Sequence, residues 1–419
     1  MKTESEMIPN IAILGTCDTK LEELLFLRDE ILMHNVNVTL IDVGQKPIKS
    51  DAISLSQEEL VKQHGSKEDL AQLPRGEVIK FMARCATAAV HSMFEEGGVH
   101  AIIAAGGSGG TSLAAQVMRD ALPVGFPKLI VSTIASGDTG PIIQETDITL
   151  MYSVVDVAGL NQVLRNILSN AGAAIAGMAQ AYASRVQPPE SSSKKRVGVT
   201  MFGVTTPAVD TIRKHLESNY KIEAYVFHAT GHGGKAMERL VREGAIDAVL
   251  DLTTTEICDH LTGGIMSAGP HRLEAAAEAG IPNIISVGAT DMSNFGPIST
   301  VPERYQGRKL YEHNPVITLM RTSKEESREI GLFIAGKIRN HAKDPNAIEV
   351  WLPKGGVSAI ATHGQPFADG DADAALRDAV IHGLAGSGVR IVEDDRDIND
   401  EGFAQDIADT LAMKMGLIK

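Results

Sequence analysis

Short apolar runs bounded by polar turns alternate along this chain with longer segments whose apolar residues recur every three or four positions. Ile11-Ala12-Ile13-Leu14-Gly15 is the first run, and an unbroken apolar stretch of that length predicts a strand buried on both faces. After polar Thr16 to Lys20, the spacing of Leu21, Leu24, Leu25, Leu27 and Ile31 predicts a helix with one apolar side. Residues 38–44 read as a second strand. Within the polar stretch 50–73, Ser56 with Glu59 three residues on forms a capping box and opens a short helix. A long helix over about 75–96, strands over 102–105, 127–132 and 147–152, and a small-residue-rich helix over 160–183 complete this half.

The rhythm breaks at residues 185–195, where two prolines and three serines stand without apolar periodicity, the composition of a linker. A new series follows, with strands over 196–203, 222–228, 248–252, 283–287, 316–320, 349–353 and 389–393 and helices near 207–216 and 236–243. Strands that alternate with helices predict an α/β fold of two Rossmann-like domains with mainly parallel, doubly wound sheets, over 1–184 and 196–419. Pro127-Lys-Leu-Ile-Val-Ser132 beside Pro282-Asn-Ile-Ile-Ser286 is compatible with a duplication, on a short match.

The third strand runs straight into Gly106-Gly107-Ser108-Gly109-Gly110-Thr111-Ser112 and then into the helical spacing of Leu113, Gln116 and Val117. Such a strand–loop–helix lets backbone approach a ligand closely and points the first, unpaired N–H groups of the helix at it, which suits a phosphate. A glycine turn that only packs tightly is the alternative. The stretch is no Walker A loop, since no Gly-Lys-Ser/Thr follows, and no complete G-x-G-x-x-G, since Ser112 stands in the last position.

In an open parallel sheet ligands lie beyond the carboxyl ends of the strands, and two further polar loops fall there, Gly15 to Lys20 and Ser132 to Gly140. Thr16, Thr19 and Lys20 suit phosphates, with Asp18 or Asp138 for Mg²⁺ and Ser136 and Gly137 beside them. Asp18 fits an N-cap as well as a ligand contact. Asp42, at the end of the second strand, stands where an acid meets ribose hydroxyls in such folds, or else is a solvated loop carboxylate.

Composition narrows the classes. At 419 residues the chain exceeds one ordinary core. Its net charge of −14 argues against a general affinity for nucleic acid or anionic membrane. Cys17, Cys85 and Cys258, odd in number and without C-x-x-C spacing, suit a reducing cytosol and exclude a cysteine zinc ribbon. Residues 1–9 lack an apolar core and no run approaches a membrane span, so neither signal peptide nor membrane segment is expected.

Four blocks of the first half, Gly15-Thr-Cys-Asp-Thr-Lys20, Gly106-Gly-Ser-Gly-Gly-Thr111, Val131-Ser-Thr-Ile-Ala-Ser-Gly-Asp138 and Ser153-Val-Val-Asp-Val-Ala-Gly159-Leu-Asn161, resemble the ATP-binding-domain family of the tomato mosaic virus resistance protein and its bacterial relatives. Asp259-His-Leu-Thr-Gly-Gly264, Gly288-Ala-Thr-Asp-Met-Ser-Asn-Phe-Gly296, His313 to Ser323 and Pro353-Lys-Gly-Gly-Val-Ser358 extend the resemblance over nearly the whole chain. It implies a two-domain α/β protein, ATP held by the first domain and a homodimer.

In the second half His228, Glu256, Asp259, His260, His271, His313 and Arg321 are expected at or just beyond strand ends. A metal would require several of them to meet at one point, and none is assigned. Arg304, Arg308 and Arg321 suit a carboxylate or phosphate clamp, or surface ion pairs. The resulting expectation is an ATP-dependent enzyme, transferring phosphoryl or activating acyl groups on a small acidic metabolite at the interdomain cleft, with His313, Glu256 and Arg321 as catalytic candidates. The alternative is a nucleotide-gated protein-interaction module without catalysis.

Overall fold

Alternation along the first strand, β1 (Asn10–Gly15), sends Ile11 and Ile13 to one side of a sheet and Ala12 and Leu14 to the other, and all four are buried. The computed structural model describes residues 8–65, 73–185 and 194–418. Contacts divide the chain into two units, Met1–Ser191 and Ser192–Lys419. The expected linker 185–195 falls mostly on residues 186–193, outside the described residues.

In the first unit β1, β2 (Asn37–Asp42), β3 (Ala101–Gly106), β4 (Lys128–Ser132) and β5 (Thr149–Tyr152) form one parallel sheet in the order β2-β1-β3-β4-β5. Helices Cys17–Leu32 and Gln162–Arg185 cover one face through Leu24, Leu27, Leu164 and Leu168. Helices Arg75–Glu95 and Ser108–Ala121 cover the other through Phe81, Met82, Leu113 and Val117. The capping box at Ser56 is present and opens helix Gln57–His64. Since both faces are covered, the strands read as continuous apolar runs.

In the second unit β6 (Lys195–Met201), β7 (Ile222–His228), β8 (Ala248–Thr253) and β9 (Asn283–Gly288) precede a small sheet of β10 (Met292–Phe295), β11 (Leu310–Asn314) and β12 (Ile317–Arg321), and β13 (Ile348–Pro353) and β14 (Arg390–Asp394) follow it. The main sheet is parallel, ordered β14-β13-β9-β8-β6-β7. Helices Thr206–Asn219 and Glu401–Lys414 pack on one side through Ile212, Leu216, Phe403 and Ile407.

One expectation is corrected. The run at 316–320 is not a strand of the parallel sheet but the centre of the antiparallel sheet β10-β12-β11, an insertion between β9 and β13. An apolar run signals burial, not the direction of its partner. No helix among the described residues is long and apolar enough to cross a membrane.

Candidate functional site

From β1 the chain of the first unit goes to β2 on one side and to β3 on the other, so the crossovers diverge above β1 and β3. A cleft of ≈ 580 Å³ opens there. The loop after β1 contributes Thr16, Asp18, Thr19 and Lys20, the loop after β2 Val43, Gln45 and Lys46, and the loop after β3 Gly107, Ser108, Gly109, Gly110 and Leu113. Helix Arg75–Glu95 adds Arg75, Val78, Ile79 and Met82, and Asp156 comes from the segment after β5. One wall is therefore apolar and the other polar, with cations at Lys20, Lys46 and Arg75.

A Cβ on Gly110 would meet nothing within 4 Å, one on Gly107 would lie 3.7 Å from Thr133 Oγ1, and one on Gly109 would lie 3.5 Å from Ile79 Cδ1. These are ordinary contacts, and none of the three residues has a positive φ. Neither packing nor backbone strain therefore demands glycine at these three positions. Helix Ser108–Ala121 has no side-chain cap, and its first N–H groups have no acceptor within the helix. Helices that start at Ser56, Ser323, Asp369 and Asp400 are closed by those side chains.

Several residues anticipated around the nucleotide serve the loop from beneath. Asp42 is fully buried, and its Oδ1 accepts Cys17 N–H at 3.0 Å and Gly44 N–H at 2.8 Å, which braces the loop after β1 and takes Asp42 out of reach of a ribose. Burial pushes its carboxyl up, against those two hydrogen bonds. The Gly15 Cβ position is filled by Leu24, a packing role. Gly106 ends β3 below the cleft, and Thr111 is buried with its Oγ1 2.7 Å from Ser132 Oγ. Ser136, Gly137 and Asp138 form an exposed turn outside the cleft lining, with Asp138 Oδ1 accepting Gly140 N–H at 3.1 Å.

Asp18 is half-buried and clips two loops together, its Oδ2 accepting Gln45 N–H at 3.1 Å and Lys46 N–H at 3.2 Å. Lys20 breaks the helical geometry of Cys17–Leu32 with φ −137 and ψ 26, and its ammonium donates to Val157 O. Sequence reasoning missed Lys46, Arg75, Asp156 and the wall of Val78, Ile79 and Met82. Of the last three, Val78 and Met82 are core residues that back the cleft and Ile79 is half-buried, and no spacing signal distinguishes a core face from a cleft wall.

The second unit does not gather its candidates. Glu256 is fully buried, with Oε1 accepting Gly231 N–H at 2.7 Å and Gly234 N–H at 3.1 Å and Oε2 accepting Arg272 Nε–H at 2.8 Å. Arg272, also buried, forks onto Asp251 at 2.5 and 2.7 Å and reaches Glu238 at 3.3 Å. Arg321 is buried against Asp373 at 2.5 Å and Phe367 O at 2.8 Å, whereas His313 is exposed on β11. The three share no hydrogen-bond partner. Arg308 is bound by both oxygens of Glu326, and Arg304 donates to Thr262 O while lying over the Tyr305 ring. Asp259 accepts Asn294 N–H, Asn294 Nδ2–H and Met266 N–H, and burial pushes its carboxyl up to about 7. Among the described residues, metal-ligating groups approach one another at Glu274, Glu278 and His341, where the Lys337 ammonium already sits on Glu274.

The fold and the cleft define a two-unit α/β protein whose first unit carries a cleft lined by Lys20, Lys46 and Arg75 at the switch point of a parallel sheet. Residues 9–184 match the N-terminal domain, and residues 194–415 the C-terminal domain, of the "Uncharacterised protein family (UPF0261)", and the chain belongs to that family. A UPF0261 protein of Clostridium tetani is 46% identical over 98% of this chain and 100% of its own length. One from Mesorhizobium japonicum is 43% identical over 95% of this chain and 97% of its own. The ToMV resistance protein Tm-1(GCR237) of Solanum lycopersicum is 39% identical over 90% of this chain and 52% of that protein. Among solved structures, a UDP-N-acetylglucosamine 2-epimerase is similar at 11% identity and a TM-score of 0.20, over 67% of this chain and 79% of its own, too distant to bear on function.

Proposed function

We propose that the first unit binds a nucleotide, ATP with Mg²⁺, with its phosphates on residues 107–110 and the N-terminus of helix Ser108–Ala121. The observation that carries this reading is the run of glycines whose missing side chains no part of the protein replaces. Lys20, Lys46 and Arg75 bring positive charge to the same cleft, and half-buried Ile79, backed by the buried Val78 and Met82, offers apolar surface for a base. With Asp18 Oδ2 taken by two backbone N–H groups, Asp156 is the cleft carboxylate suited to Mg²⁺, directly or through water. Bound Mg²⁺ would neutralise phosphate charge; the glycine loop and Lys20 would orient the chain of phosphates.

On this reading the protein is an ATP-dependent enzyme for a small acidic metabolite, working as a homodimer in the cytosol, where its three buried thiols, none in a disulfide, stay reduced. A second reading, a nucleotide-gated interaction protein, is favoured by the ion pairing of the second unit. Glu256, Arg308 and Arg321 are already engaged there, and a metabolite would have to displace those partners.

Titration calorimetry with MgATP and a non-hydrolysable analogue tests the nucleotide reading, and Gly109→Val, which puts a branched side chain into the cleft, abolishes the heat while circular dichroism stays unchanged. Full affinity in that variant would place the phosphates elsewhere. Phosphate release that appears only with one organic acid supports the enzyme; binding without release across a panel of acids supports the gate.

A further inference from the structure

Beyond β5 the chain turns sharply through residues 153–161, and this segment meets the cleft at one residue and is tied to a second residue of its lining. Asp156 lines it, and the carbonyl of the next residue, Val157, accepts the Lys20 ammonium. A second fastening lies one turn along the same helix, where Gly159 N–H donates to Glu23 Oε1 at 2.5 Å. Glu23 is 5% exposed and makes no ion pair among those described, so this carboxylate serves the segment. The far end is closed by Asn161 Oδ1, which accepts Leu164 N–H at 3.0 Å. Between these ties Val154 is held at φ 62, a conformation that a β-branched residue adopts only when its surroundings impose it. Its side chain is exposed, as are those of Tyr152 and Val163 nearby in the chain.

We infer that residues 153–161 form a strap that tightens when a Mg²⁺-bound polyphosphate fills the cleft, with Lys20 as the coupling residue; the inference rests on the nucleotide reading above. A lysine ammonium has three N–H donors, so the one that holds Val157 O can hold a phosphate oxygen at the same time. Bridging the two joins the strap to the ligand. The sign is set by Asp156. Facing a bare triphosphate it is repelled, and facing one that carries a divalent cation it is attracted, so the strap distinguishes the metal-bound nucleotide from the free one. The apolar side chains of Tyr152, Val154 and Val163 flank the strap and would be presented differently in its two states, which is what the gated reading of this protein requires.

Hydrogen exchange on the full chain, followed in peptides over 107–113 and 153–161, tests this. MgATP at saturation is expected to slow exchange in both, and ATP with a chelator to slow 107–113 while leaving 153–161 unchanged or faster. In Lys20→Met, saturating MgATP should still protect 107–113 but no longer 153–161, and Lys20→Arg should restore the second. Asp156→Asn should remove the difference between the chelated and metal-bound nucleotide at 153–161, and it tests the strap independently if Lys20→Met fails to fold. Protection of 107–113 by MgATP with none at 153–161 in the natural chain, or undiminished protection of 153–161 in Lys20→Met, overturns the strap and leaves the nucleotide reading standing. No protection of 107–113 at millimolar MgATP overturns both.

Discussion

Two glycine-rich turns lead from strand to helix in this protein, at 107–110 after β3 and at 231–234 after β7, and they are built on opposite terms. In the second, Gly231 has φ +93, a Cβ on Gly233 would lie 2.0 Å from His228 O, and one on Gly234 would lie 1.9 Å from Glu256 Oε2. The protein puts its own carboxylate where a helix N-terminus would otherwise receive an anion, and Arg272 holds that carboxylate in place. In the first turn no described side chain comes as close, and the surrounding wall supplies cations. A glycine run is thus a signal for close approach, and what approaches is decided by the neighbours.

The contrast breaks most visibly at Arg272. Arg272→Ala leaves Asp251, Glu256 and Glu238 buried without their cation and is expected to cost about 3–5 kcal/mol, read by denaturant unfolding. A loss under about 1 kcal/mol would mean that this fork does not hold the three side chains in place. Gly234→Ala overpacks against Glu256 and should destabilise by about 1–3 kcal/mol. Its counterpart Gly110→Ala should change stability by less than about 0.5 kcal/mol yet weaken ATP binding. Equal stability losses in the two variants would erase the distinction between the turns. Lys20→Ala should lose roughly 1.5–3 kcal/mol of ATP affinity and less for AMP, and equal losses would take Lys20 away from the outer phosphates.

A smaller effect separates the units by pH. Burial pushes Asp259 up to about 7 and Asp291 to about 6, both above the ordinary value of 3.8. The folded second unit therefore holds protons that the unfolded chain releases, so these groups favour folding at about pH 4, and their contribution falls as pH rises towards 7. Thermal melts of the natural chain and of Asp259→Asn should diverge over that window, the natural chain losing stability faster with rising pH; parallel curves would assign Asp259 an ordinary carboxyl.

Most of the fold was legible because parallel strands covered on both faces are largely apolar, as 11–15 and 102–105 are throughout. The strand at 316–320 was legible as a strand, but its antiparallel partners were not, since β10 is four residues long and half polar and β11 is exposed. Half of the cleft was legible for a similar reason. Thr16, Lys20 and residues 107–110 follow strand ends directly, where such folds place ligands. Arg75 and Asp156 reach the cleft from more distant segments, and no local period marks them.

By itself the sequence determined the two series of strands and helices, the capping box at Ser56 and the glycine turn at 106–110, since each depends on residues within a few positions of one another. Only the tertiary structure decided which acids line the cleft, Asp18 and Asp156 but not Asp42, which arginines are already paired, and which glycine turn is filled from within. Those outcomes rest on contacts such as Lys20 with Val157, 137 residues apart, and Arg321 with Asp373, 52 apart. Burial requires that every charge find a partner, but it leaves the choice of partner to the folded chain.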